Sequence, residues 1–87
     1  SNWEVLYMRG WLRQLRKDRG LTQREVAARL GICQSYYGYI ETRGRQKKID
    51  LPLLAKIAGV FQVPLMALVD IETSAAEDME KKPGERS

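Results

Sequence analysis

Hydrophobic side chains recur at intervals of three and four residues along most of the chain, a spacing that predicts helices. The clearest case is the segment from Leu21 to Glu41. Its apolar positions are Val26, Ala27, Leu30, Tyr37 and Ile40. Thr22 followed by Glu25 has the pattern of a capping box, which starts a helix, and Gly31 suits the left-handed conformation that ends one. The segment therefore predicts two short helices joined by a tight glycine turn.

Three further helices are predicted around this pair. The first covers residues 3–18, the fourth begins after the N-cap Asp50 and ends near Gln62, and the fifth ends near Ile71. Their predicted core positions are Val5, Met8, Leu12, Leu15, Leu53, Leu54, Ile57, Ala58, Phe61, Leu65, Leu68 and Val69. The pattern predicts an all-α fold of five helices.

The chain divides unevenly into a folded part and a tail. Residues 1–72 contain all of the predicted helices and are expected to form one domain. Residues 73–87 have few side chains to bury, so they are expected to form a flexible polar tail.

Composition excludes several function classes. The 87 residues, 44% of them hydrophobic, suit one small soluble domain. No apolar run approaches the roughly 18 residues of a membrane span, and no signal segment is evident, so we expect an intracellular, cytoplasmic protein. With no histidine and one cysteine, Cys33, we expect no metal, no cofactor and no catalytic residues. A redox role for Cys33 is the alternative to a structural one.

The charge is unevenly distributed along the chain. Residues 1–48 contain 11 Lys and Arg against four Asp and Glu, whereas residues 49–87 contain four against seven. A basic half that carries two helices joined by a tight turn favours a polyanion, and double-stranded DNA above all, as the partner. A solvated face of uneven charge is the simpler alternative.

The segments LRQLRKDRGLTQREVAARLGI…YIE and IDLPLLAKIAGVFQVPLMALV resemble the Cro/repressor-type helix-turn-helix family, also called the XRE family. The resemblance covers roughly residues 8–71. It implies a compact, lambda-repressor-like DNA-binding domain whose helix-turn-helix consists of helices two and three, with helix three in the major groove. It also implies a sequence-specific transcriptional regulator, a repressor, that binds a near-palindromic operator as a homodimer and joins the nucleoid when bound.

The resemblance assigns DNA-contacting roles by position. Base reading falls to Gln34, Ser35 and Tyr39, and the amide of Gln34 can donate to and accept from adenine at once. Contacts to the DNA backbone are assigned to Gln23, Thr22, Tyr36, Arg43, Arg45, Lys47 and Lys48. Gln23 is also expected to brace the third helix.

Other positions in the third helix are expected to be structural. The resemblance pairs Glu41 with Arg16 in an ion pair that fixes the first helix against the third. Tyr37 is expected to be mostly buried, with its hydroxyl near the rim of the core. Gly38 follows Gln34 by one turn, so its lack of a side chain either permits close approach to the groove or is only tolerated.

A protein-interaction module, such as an antitoxin or a co-regulator of the same fold, is the alternative function. The aromatic residues Trp3, Tyr7 and Trp11 motivate it, because aromatic side chains are enriched at interfaces. The simpler interpretation is that they widen the core stripe of the first helix. Met66 and Ile71 are surplus to the inward stripe of the last helix, and a dimer contact is expected there or on the first helix.

Overall fold

The computed structural model describes residues 9–42 and 49–80, the side chains of residues 75–80 excepted. Over these residues the chain forms helices and no strand, which confirms the predicted all-α class. The helices are α1 (Gly10–Asp18), α2 (Gln23–Leu30), α3 (Gln34–Thr42), α4 (Leu51–Phe61) and α5 (Leu65–Glu80).

Helix α2 begins and ends where its capping residues predict. The Glu25 N–H donates to Thr22 Oγ1 at 3.1 Å, and the Thr22 N–H donates to Glu25 Oε1 at 2.8 Å, which completes the capping box. Gly31 follows the helix with φ +75°, a conformation that is costly for a residue with a Cβ atom. Because only Ile32 and Cys33 then precede α3, the turn between the two helices is tight.

Helix α4 also has the predicted ends. The Leu53 N–H donates to Asp50 Oδ1 at 2.9 Å, so Asp50 is the N-cap. Gln62 takes the left-handed conformation with φ 57° and ends the helix. Only Val63 and Pro64 then separate Gln62 from the start of α5.

All five helices contribute to one core. Helix α2 packs against α3 and α4, α1 packs against α3, and α5 packs against α4. The buried hydrophobic residues are Leu12, Val26, Ala27, Leu30, Tyr37, Ile40, Leu54, Ile57, Ala58, Phe61 and Leu68. Leu15, Leu53, Leu65 and Val69 pack around them, half-buried or nearly so. Burying a large aliphatic or aromatic side chain stabilises the fold by roughly 1.5–3 kcal/mol, so this cluster fixes how the helices cross.

Two helix ends differ from the prediction. Helix α1 begins at Gly10, and residues 1–8, which include the predicted core positions Val5 and Met8, lie outside the described residues. Helix α5 does not end near Ile71 but continues to Glu80. No glycine or proline occurs between Leu65 and Glu80 to stop it. Residues 73–80 are therefore helical rather than an irregular tail, and the domain boundary after residue 72 stays a prediction.

Candidate nucleic-acid interface

Helix α3 has a buried side and an exposed first turn. The buried residues of the helix are Tyr37, Ile40 and Glu41. Gln34, Ser35 and Tyr36 are exposed, and Tyr36 retains 49% of its accessible surface. The helix thus presents two short polar side chains and one phenol to solvent at the end that follows the glycine turn.

The side chain of Glu41 is the most heavily bonded group in this part of the protein. Arg16 donates to it twice, from Nε to Oε2 and from Nη2 to Oε1, both at 2.9 Å. The Tyr37 hydroxyl donates to Oε2 at 2.7 Å and Gln23 Nε2 donates to Oε1 at 3.1 Å. Glu41 is 1% exposed, so these bonds replace its hydration. The structure brings the predicted partners Arg16 and Glu41 together and joins α1, α2 and α3 at one carboxylate.

These bonds determine the protonation states of the cluster. Burial by itself would raise the pKa of Glu41, but the hydrogen bonds from Arg16, Tyr37 and Gln23 outweigh it and lower that pKa. The hydrogen bond to Glu41 raises the pKa of Arg16. Burial, and then the bond to Glu41, raise the pKa of Tyr37. At neutral pH the cluster is a carboxylate held by one guanidinium, one neutral phenol and one amide.

The environment of Tyr37 differs from the prediction. Its ring is fully buried, as expected, but its hydroxyl lies in the core rather than near the rim. The physical reason is Glu41, four residues further along the same helix, whose carboxylate accepts the O–H and so satisfies a buried polar group. Residues four apart share a helix face, so this spacing could have identified the bond from the sequence.

Gly38 lies next to a side chain of another helix. A Cβ atom at Gly38 would lie 3.3 Å from Gln23 Oε1, closer than an ordinary van der Waals contact. The missing side chain therefore leaves room for the amide of Gln23 on α2, and the closer approach to a groove stays a prediction. Gln23 uses that room to reach Glu41, which is the bracing contact expected of it.

The residues assigned to the DNA backbone are only partly described. Thr22 is exposed at the start of α2, with its hydroxyl engaged in the capping box. Gln23 is the first residue of α2 and is half-buried. The basic residues Arg43, Arg45, Lys47 and Lys48 lie outside the described residues.

Three further residues singled out by the sequence have defined surroundings. Tyr39, the third base-reading candidate, is half-buried. Cys33 is exposed just before α3, and its carbonyl accepts the Tyr37 N–H at 3.1 Å. Trp11 packs against the core, and its indole N–H donates to Glu72 Oε1 at 3.1 Å. Trp11 is half-buried in this position, which favours the simpler interpretation that it widens the core stripe of the first helix.

A second Arg–Glu pair was not predicted from the sequence. Arg9 is 2% exposed and donates from Nε and Nη2 to the two carboxylate oxygens of Glu72, both at 3.0 Å. Its Nη1 donates to the carbonyl of Ile40 in α3 at 2.8 Å. The partners lie 63 residues apart, and no local pattern links such distant positions. The only sign of this pair in the sequence is that an arginine and a glutamate each lie at the edge of an apolar helical stripe.

Other kinds of site find no support in the described part of the chain. No three His, Cys, Asp or Glu residues within it are grouped so that they could hold a metal ion. None of its helices combines the length and the apolar character that crossing a bilayer requires.

Comparison with known proteins finds similarity to helix-turn-helix proteins. The helix-turn-helix family model matches residues 12–68, which include all of α2 and α3. Over 59 residues the chain is 42% identical to the uncharacterized HTH-type transcriptional regulator y4dJ of Sinorhizobium fredii (strain NBRC 101917 / NGR234), a match that covers 66% of this chain and 75% of that protein.

A second relative is the uncharacterized HTH-type transcriptional regulator YobD of Bacillus subtilis (strain 168). It is 37% identical over 60 residues, which cover 68% of this chain but only 54% of that protein. No solved structure matches the chain significantly.

Proposed function

This chain belongs to the helix-turn-helix family, and on that premise we propose that it is a sequence-specific, double-stranded-DNA-binding transcriptional regulator of the Cro/repressor type. It acts as a repressor, in the cytoplasm and on the nucleoid. Helix α3 is the recognition helix and enters the major groove with its exposed first turn foremost.

The observation that carries this proposal is the division of α3 into an exposed end and an anchored end. The first turn exposes Gln34, Ser35 and Tyr36, and the buried Glu41 near the other end is bonded to α1 and α2. A recognition helix needs both properties, because base edges are read only by side chains held in a defined register. Solvated helices of a purely structural role do not require such an anchor.

Base reading is assigned to the exposed turn. The amide of Gln34 can form a bidentate pair with adenine N6 and N7, which gives about 1–3 kcal/mol of discrimination against another base. Ser35 can bond either kind of base edge, and Tyr39 lies one turn further on, within reach of a thymine methyl or the backbone.

Contacts to the DNA backbone surround this reading surface. Thr22 and Gln23 lie at the positive end of the α2 dipole, where phosphates bind readily. Tyr36 is proposed to reach a phosphate from the first turn of α3. The basic run between α3 and α4 supplies the remaining charge through Arg43, Arg45, Lys47 and Lys48.

A homodimer on a near-palindromic operator completes the proposal. Met66 and Ile71 on α5 are large hydrophobic residues that remain exposed to 64% and 39%, so a second copy could cover them. A symmetric contact through α5 is proposed to place two recognition helices about 34 Å apart, one turn of B-DNA. Sedimentation on a selected operator measures the stoichiometry, and one protomer per site would contradict the dimer.

Selection of bound sites from a random pool of duplex DNA tests the function directly. We expect one enriched half-site, repeated as an inverted repeat. Gln34→Ala should then weaken binding by about 1–3 kcal/mol at one base pair of the half-site only. Gln14→Ala is the matched control, because Gln14 is an exposed glutamine of α1 that bonds only its neighbour Asp18 among the described contacts. A pool with no enriched sequence would overturn the proposed function.

A change to the basic run between α3 and α4 separates base reading from phosphate binding. Lys47→Ala should weaken binding equally for all sequences and reduce the slope of log affinity against log salt by about one unit. Gln34→Ala should leave this slope unchanged. If both variants weakened binding uniformly, base reading by Gln34 would be excluded.

A further inference from the structure

Arg9 is a buried cation that the DNA-reading surface does not use. It lies just before α1 and is 2% exposed. An arginine is seldom buried to this degree unless its charge is paired and its N–H groups are bonded. Among the described contacts, the groups that meet this requirement lie on α3 and α5.

On α3, Arg9 bonds to carbonyls of the last turn. Its Nη1 donates to the Ile40 carbonyl at 2.8 Å, and its backbone N–H donates to the Glu41 carbonyl at 2.8 Å. The last four carbonyls of a helix have no partner within the helix, and a cation is favoured at this negative end of the dipole. Arg9 therefore caps α3 from outside the helix.

On α5, Glu72 holds the guanidinium of Arg9 in the orientation that the cap requires. Both carboxylate oxygens accept from it, Oε1 from Nε and Oε2 from Nη2, at 3.0 Å each. Such a two-point fork fixes the plane of the guanidinium, which a single bond cannot do. Trp11 donates to the same Oε1 at 3.1 Å and fixes the carboxylate in turn.

We infer that Glu72 is a positioning residue for DNA recognition: through Arg9 it fixes the last turn of α3 and thereby ties the orientation of the recognition helix to α5. The inference rests on the proposed function for its DNA readout. It adds a residue of the last helix, far from the reading surface in sequence, to those that determine operator binding. A partner that moves α5 would also act on α3 by this route.

The direction in which Glu72→Gln changes operator affinity separates a positioning role from a simple effect of charge. Glu72→Gln removes a negative charge from a protein that binds a polyanion, so charge alone would strengthen binding to every DNA sequence. Loss of the fork instead loosens α3 and weakens only the binding that depends on register. The two explanations therefore predict opposite changes in operator affinity.

The experiment compares Glu72→Gln with Asp70→Asn in the full chain. Asp70 is an exposed carboxylate of the same helix, so its variant loses the same charge without touching Arg9. Both variants and the parent protein are measured below the onset of thermal unfolding, followed by circular dichroism. Two quantities are compared: hydrogen exchange of the backbone amides in the last turn of α3 without DNA, and affinity for the selected operator and for a mixed-sequence duplex.

We expect Glu72→Gln to speed exchange in the last turn of α3 about tenfold, to weaken operator binding about tenfold and to leave mixed-sequence binding unchanged or tighter. Asp70→Asn should change none of these except for a slight gain in affinity. Unchanged exchange, or an operator affinity equal to that of Asp70→Asn, would overturn the inference.

The two proposals fail in different ways. If the parent protein selects no operator, the proposed function fails and the DNA-positioning role falls with it, while the exchange data still report whether Glu72 holds α3. If the parent protein binds an operator that Glu72→Gln binds equally well, only the positioning role is overturned.

Discussion

Two Arg–Glu pairs hold α3, the proposed recognition helix, and they do so in different ways. Arg16 bonds the side chain of Glu41, which is 1% exposed and also accepts from Tyr37 and Gln23. Arg9 bonds the backbone end of α3 and pairs with Glu72, whose side chain is 17% exposed. The first pair lies inside the helix-turn-helix unit and its neighbour α1, whereas the second connects that unit to α5.

This difference in enclosure has an energetic consequence. The two arginines are enclosed in the opposite order, with 11% of the Arg16 side chain exposed against 2% of Arg9, so the difference lies in the carboxylates. Removing Glu41 leaves Arg16, Tyr37 and Gln23 without their common acceptor, whereas the site of Glu72 is partly open to water. The Arg16–Glu41 pair should therefore dominate stability. The Arg9–Glu72 pair should matter less for stability than for the position of the end of α3.

The largest expected effect is that of Glu41→Ala. It leaves the buried guanidinium of Arg16 and the Tyr37 hydroxyl without their acceptor, at a cost of about 3–5 kcal/mol in the free energy of unfolding. Urea denaturation followed by circular dichroism measures it, with exposed Asp70→Ala as the control, expected within about 0.5 kcal/mol of the parent. A loss below about 1 kcal/mol would mean that the cluster is hydrated.

A smaller loss in the free energy of unfolding is expected for Glu72→Ala. Arg9 loses both fork contacts but can draw water through the opened site, so we expect a cost of about 1–3 kcal/mol. The same denaturation experiment measures it. If Glu72→Ala destabilised the protein as much as Glu41→Ala does, enclosure could not be what distinguishes the two pairs.

The sequence predicts one of these pairs and misses the other, for a physical reason. Helix ends were predicted correctly where the signal is local, as with the capping box of Thr22 and Glu25 and the N-cap Asp50. The pairing of Arg16 with Glu41 was inferred from family resemblance, since their spacing alone does not place them together. Arg9 and Glu72, from the residue before α1 and from α5, meet only in the folded chain, which is a tertiary property.

Two other features escape sequence reasoning for a similar reason. Gly38 shares a face with Gln34, which left groove approach and mere tolerance open, and its contact with Gln23 comes from another helix. The extension of α5 to Glu80 was missed because a polar composition was taken to indicate an irregular tail, although alanine and glutamate favour helix. The DNA-contacting roles stay predictions, because they concern a partner that the chain alone does not contain.

Low pH should reduce the stability of the protein through the Arg16–Glu41 pair. The pKa of Glu41 is lowered in the fold, so the unfolded chain binds this proton more readily. The stabilisation is complete above the ordinary glutamate pKa of 4.5 and is lost as the pH falls through the folded-state pKa. Denaturation midpoints between pH 7 and pH 2 should fall less steeply in Glu41→Gln than in the parent protein.

Glu25 supplies the control for this titration. Backbone and side-chain hydrogen bonds to Thr22 lower the pKa of Glu25 as well. The stability of Glu41→Gln should therefore still fall somewhat at low pH, and that of Glu41→Gln/Glu25→Gln should fall less. An acid profile of Glu41→Gln identical to that of the parent would show that the enclosed carboxylate does not carry the effect.

The smallest expected change in stability is that of Gly38→Ala, at the position that leaves room for Gln23 beside the Arg16–Glu41 pair. Gly38→Ala gains up to about 1 kcal/mol of helix propensity but brings a Cβ atom within 3.3 Å of Gln23 Oε1, which strains the bond from Gln23 to Glu41. We expect a gain well below 1 kcal/mol in the parent and the full gain in a Gln23→Ala background. A double-mutant cycle of unfolding free energies measures the difference. Equal gains in the two backgrounds would show that the amide of Gln23 moves aside freely, and that the contact between α2 and α3 at this edge does not constrain the first pair.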